Sequence, residues 1–476
     1  MELHLVLDGG KDLAGQVYRQ LRDAIRSGRL ADGQQLPPTR LLAEQLGVSR
    51  KTVSQAYARL TLEALLVGHT GRGSFVSAPA QAAVRPVSSQ ALSSHATLDK
   101  WNAMATPLRH AGPESHARYD FIGGTPAQAH FPHRQWRSCL LHGLRQEEHS
   151  RGRYAQAEGL PELRSAIARH IGFARGVACS PAQVVVTNGA QQALDLLGRV
   201  LLGPGDTVAV EDPGYPLARL LFASQGARVA SVPVDAEGIV VGQIPANAKL
   251  IYVTPAHQLP LGMPMSVARR HALLEQARRI GAIIIEDDYD SEFRYEGQPT
   301  DSLQSMDRHS LVAFVGSFSK VMLPALRVGY VVVPQAILNA LLAAKHLSDW
   351  HTATLIQYAL AKFIDDGHLN KHIRRGASIY ASRRAELQRI FAGPLAPWFR
   401  LVPASAGLHL AAQCVAPVDI DLLIRLARRA DVGLYSLADF HTDAVATPGL
   451  FLGYGAIDTL DIAPALERML ALLQQM

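Results

Sequence analysis

The sequence predicts two unlike parts joined by a linker: an N-terminal winged helix–turn–helix domain (α+β), and a larger α/β body ending in a small C-terminal lobe. Three observations carry this. Residues 13–60 repeat apolar positions at helical spacing around breaks marked by glycine and proline. From Asp120, short β-branched runs alternate with helical stretches, as in a sheet covered on both faces. From Leu401, short strands mix with a helix at Asp419 to Ala430. The predicted boundaries are 1–77, a linker at 78–119, and 120–476.

Leu13, Val17, Leu21 and Ile25 lie on one face of a first helix. After Gly33, Leu36-Pro37-Pro38-Thr39-Arg40 ends that element and starts another, with Thr39 expected as its N-cap. A Gly47-Val48 turn follows, then a second helix capped by Ser49 and carrying Arg50, Lys51, Thr52, Ser54 and Gln55 on its first turns. A recognition helix meets base edges and phosphates with such side chains. Gly71-Arg72-Gly73 reads as a hairpin tip whose arginine suits a minor groove. The bland alternative is a small helical domain with surface arginines. The linker shifts to Ala, Ser, Pro and His, with a short helical piece expected at Leu98 to Met104.

In the body, Val184-Val185-Val186-Thr187-Asn188-Gly189-Ala190-Gln191 reads as strand, glycine turn and helix start, a place where free N–H groups bind phosphate. Glu211-Asp212-Pro213-Gly214-Tyr215 is a second strand-end turn; Tyr215 can stack on a flat ring or be an ordinary turn tyrosine. Gly281 to Ile285 reads as a buried parallel strand ending in Glu286-Asp287-Asp288-Tyr289-Asp290. A carboxylate there can hold the ring nitrogen of pyridoxal phosphate (PLP), and Tyr289 its ring hydroxyl; a solvated or Mg²⁺-binding acidic loop fits the residue types too. No histidine or cysteine in that run supports a transition-metal site, and no metal is expected. Ser317-Phe318-Ser319-Lys320 through Arg327 supplies an amine for a Schiff base, with hydroxyls and a guanidinium for the phosphate. Alone, that motif also fits a solvated loop lysine.

From Asp120 onward the order of these motifs resembles a fold-type-I aminotransferase. The resemblance implies Lys320 as the catalytic Schiff-base lysine, Asp287 at the pyridinium nitrogen, Tyr289 at the ring hydroxyl and Tyr215 on the ring face. It assigns the phosphate to Gly189, Ala190, Gln191, Ser317, Ser319 and Arg327, and gives Tyr154 to the partner subunit's phosphate in a homodimer. The first 77 residues resemble the winged helix of GntR-type regulators, which nominates Arg40, Ser49, Arg50, Thr52, Ser54, Gly71 and Arg72 for double-stranded operator DNA. Ser54 stands where that family often has arginine. The fusion is similar to the MocR/GabR group, which implies a head-to-tail, subunit-exchanged dimer. Aminotransferases usually have asparagine in an N-P-x-G turn; here Leu259 precedes Pro260 and Gly262.

Two function classes follow. One is a transcription regulator that binds PLP on Lys320 and senses an amino compound or PLP itself; the other is an active aminotransferase carrying a DNA-binding domain. Arg219 and His409 are the side chains expected to meet the effector, and GABA is disfavoured. The balance of +6 is compatible with nucleic acid. Cys139, Cys179 and Cys414 are odd in number and far apart, as in a reducing cytoplasm. With no apolar signal core and no run of membrane-spanning length, a cytoplasmic location is expected and no membrane partner.

Overall fold

The computed structural model describes residues 5–77, 96–110, 117–296, 301–442 and 447–476. The chain divides into two compact units, Met1–Asp99 and Lys100–Met476. Most of the expected linker, 78–95 and 111–116, lies outside the described residues. Within it a helix spans Ala96–His110, longer than the short piece expected.

The first unit contains α1 (Leu13–Arg26), α2 (Thr39–Leu46) and α3 (Arg50–Leu62), then strands β1 (Leu66–His69) and β2 (Gly73–Val76). Val17, Leu21 and Ile25 are buried with Leu42, Val53 and Leu60, so the helical stripe packs α1 on α3, against which α2 also lies. The α1 cap is Asp12, which accepts from the Gly15 N–H. Thr39 does not cap α2. The helix starts at Thr39 itself, behind Pro38, and has no side-chain cap. Proline at 38 is already extended (ψ 143°), so it takes the cap position and moves Thr39 to the first helical residue. Ser49 does cap α3, accepting from the Thr52 N–H at 3.1 Å. The hairpin β1–β2 is antiparallel, with Leu66 opposite Val76.

The strands of the second unit start with β3 (Tyr119–Asp120) and go on with β4 (Val184–Thr187), β5 (Thr207–Asp212), β6 (Arg228–Asp235), β7 (Gly238–Ile239), β8 (Ala248–Val253), β9 (Ile283–Asp288), β10 (Val312–Ser317) and β11 (Gly329–Val332). The last eight form one sheet in the order β4-β11-β10-β9-β8-β5-β6-β7. It is parallel apart from β11, antiparallel to both neighbours, and the edge strand β7. Ile284 packs into one apolar layer and Ile285 into the other, which is why β9 is apolar throughout instead of alternating. A second sheet, β12 (Phe399–Leu401), β13 (His409–Cys414), β15 (Tyr435–Ser436) and β16 (Gly449–Gly453), forms the small lobe with helices His368–Ala392, Ile420–Arg429 and Thr459–Leu473. The short β14 (Val432–Gly433) pairs with β3, tying the start of this unit to the lobe. Among the described residues, no helix is long and apolar enough to cross a membrane.

Candidate functional site

The parallel strands deliver the predicted residues to one end of the large sheet, as open α/β sheets do with their ligand sites. Lys320 sits in the short return between β10 and β11, and its Nζ donates to the Gly124 carbonyl at 2.6 Å. Burial lowers the Lys320 pKa, opposed by Asp290 and Asp287, while Arg327 pushes the same way as burial. Asp287, near the end of β9, accepts from the Tyr252 hydroxyl at 2.7 Å. Its other oxygen is buried without a hydrogen-bond partner. Burial raises its pKa to about 7, with Asp288 and Asp290 adding to the shift. The rest of the acidic run is engaged structurally: Glu286 accepts from Leu303 and Gln304 N–H, and Asp288 pairs with buried Arg175 at 2.6 Å.

At the end of β4, Gly189 precedes the helix Ala190–Leu201 with φ 81°. A Cβ there would fall 2.7 Å from the Arg327 guanidinium and push it aside, and the positive φ itself favours glycine. Arg327, itself at φ 51°, donates to the Asn188 carbonyl at 3.1 Å. Ser317 is buried and its hydroxyl accepts from the Ser319 N–H. The Gln191 side-chain oxygen is buried without a partner. Tyr215 has its pKa raised to about 12, by burial first and then by the Asp287 charge. Tyr289 donates to the His257 carbonyl at 2.9 Å. The structure thus gathers Lys320, Asp287, Tyr289, Tyr215, Gly189 and Arg327.

Tyr154, Arg219 and His409, the other predicted residues, have the following surroundings. Tyr154 is 74% exposed and stacks on Trp350, rings 4.5 Å apart and 7° from parallel. Arg219 donates to the Thr442 hydroxyl. His409 is buried beside Tyr289 and Phe451; burial and then neighbouring His257 lower its pKa to about 3, and its Nε2 donates to the Pro260 carbonyl.

Several side chains around the site were not singled out from the sequence for these roles. Lys345 is fully buried and pairs with Asp349 at 2.9 Å. Asp349 also accepts from the Asn188 amide at 2.6 Å and the Gln192 amide at 2.8 Å, while Gln192 accepts from the Asn188 N–H. This cluster fixes the turn before Gly189. His257, within the segment that carries Leu259, meets Asp290 at 2.8 Å. The (i, i+4) spacing was a signal for the first pair; nothing in the sequence marked the second.

The donor set fits PLP on an observation independent of motif. A buried carboxyl with one unpartnered oxygen lies near a half-buried amine, beside a helix N-terminus whose glycine lies under a guanidinium.

In the first unit, Arg40, Ser49, Arg50, Ser54, Gly71 and Arg72 are exposed and Thr52 is half-buried. Arg40 lies 3.6 Å from Glu44, an exposed pair worth little. The Arg72 carbonyl accepts from the Gln35 amide, which fixes the hairpin tip. Arg59 is spent internally, its guanidinium 4.3 Å over the Tyr18 ring.

The family model "Aminotransferase class I and II" matches residues 126–427. The model "Bacterial regulatory proteins, gntR family" matches residues 13–76. The chain is 34% identical over 459 residues to the probable rhizopine catabolism regulatory protein MocR of Rhizobium meliloti, covering 95% of this chain and 92% of that one. It is 37% identical to the HTH-type transcriptional regulator TauR of Rhodobacter capsulatus over 81% of each chain. Among solved structures, kynurenine aminotransferase of Pyrococcus horikoshii, in complex with PMP, superposes with a TM-score of 0.71 at 25% identity, over 82% of this chain and 97% of that one. LysN, the alpha-aminoadipate aminotransferase of Thermus thermophilus, gives 0.69 at 27%, over 75% and 92%. With both matches in the order that the two units show, the chain belongs to the MocR-type transcriptional regulators, in which a gntR-family DNA-binding domain is fused to a class I and II aminotransferase domain.

Proposed function

We propose that this regulator binds PLP on Lys320 and changes its grip on operator DNA when a small amine, or PLP itself, occupies that site. One observation carries the reading: the half-buried Lys320 amine lies close enough to feel the Asp287 charge at the carboxyl end of the sheet, in a chain whose first unit is a separate DNA-binding fold. PLP supplies an aldehyde that amines can take up and a ring that draws electrons. Asp287 would hold the ring-nitrogen proton, Tyr215 would stack on the ring face, and Tyr289 would meet the ring hydroxyl. Gly189, Ala190, Gln191, Ser317, Ser319 and Arg327 would hold the phosphate.

The exposed Tyr154 supports a homodimer in which it serves the partner's phosphate, with each head crossing to the other subunit. The assigned parts are the DNA-binding domain at 1–77, linker at 78–119 and effector domain at 120–476. Arg50, Ser49, Thr52, Ser54 and Arg40 would contact the operator from α2 and α3, and Gly71 and Arg72 from the hairpin. A protein with these partners works in the cytoplasm. Occupation of the Lys320 nitrogen must release the Gly124 carbonyl, and Gly124 lies just beyond β3, where the linker enters this unit. That gives the effector a physical route to the chain leading to the head.

The test is to follow the visible spectrum of PLP-loaded protein against a panel of amines and amino acids, then add a 2-oxo acid and measure operator binding in parallel. An amine that shifts the spectrum, stays bound and changes DNA affinity supports a sensor. Repeated conversion to the pyridoxamine form, reversed by the oxo acid with no change in DNA binding, makes the chain a working aminotransferase.

A further inference from the structure

Leu259 leaves the ring-hydroxyl side of the site without the amide that aminotransferases place there. Its side chain packs with Leu261, Met263 and Phe451, and its N–H donates to the Thr254 hydroxyl. A different group occupies the neighbourhood. His257 Nδ1 lies 2.8 Å from an Asp290 oxygen, with both side chains buried. A carboxylate can only accept, so Nδ1 carries the proton. The same Nδ1 lies 3.2 Å from the Tyr289 hydroxyl. Since that nitrogen is already a donor to Asp290, the phenol oxygen takes the longer arm of the same N–H in a three-centre bond. The phenol's own proton goes to the His257 carbonyl at 2.9 Å. Both anchors of the Tyr289 hydroxyl therefore come from one residue.

That residue is itself rigidly held. The other Asp290 oxygen accepts from the Leu408 N–H at 2.9 Å. Gly407 has φ 87°, and a Cβ there would collide with the imidazole, so the ring packs directly against bare main chain. The His409 ring packs 4.4 Å from it.

We propose that His257, oriented by Asp290, is the positioning residue that sets Tyr289 as the donor to the PLP ring oxygen, in place of the amide that Leu259 lacks. The inference rests on the reading that PLP binds Lys320. With PLP bound, the single phenol proton would turn from the His257 carbonyl to the ring oxygen, and a phenol that meanwhile accepts from Nδ1–H is a stronger donor than one standing alone. Donation to the ring oxygen lowers that oxygen's hold on the proton it shares with the lysine nitrogen. The chain Asp290–His257–Tyr289 thus makes the Lys320-bound chromophore more acidic. The charged and titratable groups facing Tyr289 are Asp290, Asp287, Glu211 and Asp288, with His257 and His409 beside it. Lys320 and Arg327 complete the set around the chromophore.

The test is a pH titration of the visible band of PLP-loaded wild type, His257→Leu, His257→Asn, Asp290→Asn and Tyr289→Phe, with retained PLP and melting temperature measured alongside. Asparagine places an amide where Nδ1–H stood, so His257→Asn should titrate close to wild type. His257→Leu should raise the midpoint, with about a tenfold or greater gain in proton affinity. Asp290→Asn should move it the same way, and in a Tyr289→Phe background neither substitution should move it further. A wild-type midpoint in Asp290→Asn or His257→Leu overturns the proposal, as does an equal shift in His257→Asn and His257→Leu. Asp290→Asn keeps the test decisive if His257→Leu does not fold. If wild-type protein gives no lysine-dependent visible band with PLP, the cofactor reading itself has failed.

Discussion

Lys345→Met isolates the support beneath the phosphate turn. The lysine ammonium is fully buried and touches Asp349 at 2.9 and 3.0 Å and the Thr352 hydroxyl at 3.2 Å. Removing one partner of a buried ion pair costs about 3–5 kcal/mol, because the remaining charge is left uncompensated. Asp349 is 21% exposed and keeps two amide donors, Asn188 and Gln192, so the loss belongs at or below the low end, about 2–3 kcal/mol. Part of that loss appears in the turn, since Asn188 is held by Asp349 through its amide and by Gln192 through its N–H. A turn loosened by about 1.4–2.8 kcal/mol weakens phosphate binding about tenfold to a hundredfold. The assay compares PLP with pyridoxal, which has the same ring and aldehyde but no phosphate. PLP affinity should fall and pyridoxal affinity should hold. An equal fall for both ligands, or a lower melting temperature with unchanged PLP affinity, would refute the assignment of this cluster to the phosphate.

Lys320→Ala should abolish the visible PLP band while leaving the ligand-free protein's operator binding intact; an unchanged band means another residue holds the cofactor. Arg50→Ala should weaken operator binding by about 1–3 kcal/mol if the side chain reads a base, with relaxed specificity at that base pair, and by less if it meets only phosphate. Burial raises Asp287 from the ordinary carboxyl range to about 7. The folded chain then keeps a proton that the unfolded chain gives up near pH 4, so Asp287 costs no stability below that pH and its full penalty, up to about 4 kcal/mol, above about pH 7. Asp287→Asn protein without PLP should therefore melt like wild type near pH 4 and increasingly above it toward pH 8. A pH-independent difference in melting temperature would show that Asp287 does not titrate in that window.

What was legible in the sequence was chemistry carried locally. The Ser317-to-Arg327 segment holds amine, hydroxyls and guanidinium within one return, and the run ending at Ile285 is apolar because both faces of its strand are covered. Ser49 capped its helix as expected because nothing competed for the position, whereas Pro38 displaced Thr39. The antiparallel course of β11 follows from a connection to β10 with no room for the crossover helix that a parallel neighbour needs, a signal that reading the body as strand–helix alternation passed over. Lys345 and Asp349 have the spacing of a surface helix pair, and only the packing of neighbouring elements turns that pair into a buried one. His257 and Asp290 come from separate strand-end turns, and their contact depends on the order of strands in the sheet, which periodicity does not contain.

Strand-end geometry also bounds how a ligand can act as a signal. Moving a two-state equilibrium from 1:99 to 99:1 requires about 5.5 kcal/mol of preference for one state. The bond from Lys320 to the Gly124 carbonyl is one hydrogen bond, worth about 1 kcal/mol net, so breaking it alone cannot throw the switch. The neighbouring backbone supplies a larger lever. A Cβ on Gly124 would collide with the Lys320 amine, and one on Gly123 with the Phe451 ring, so this short loop is wedged between the lysine and β16 of the small lobe. Phe451 itself is only 6% exposed, so a ligand gains by drawing the small lobe that carries this ring closed around it. Closure that buries about 150 Å² of apolar surface, the ligand's and the lobe's together, adds about 4 kcal/mol at 25 cal/mol per Å². Together the two terms approach what a switch needs, and neither reaches it alone. An amine that takes up the lysine without moving the small lobe should therefore bind without switching, which makes the small lobe, and not the lysine, the part that separates an effector from a mere occupant.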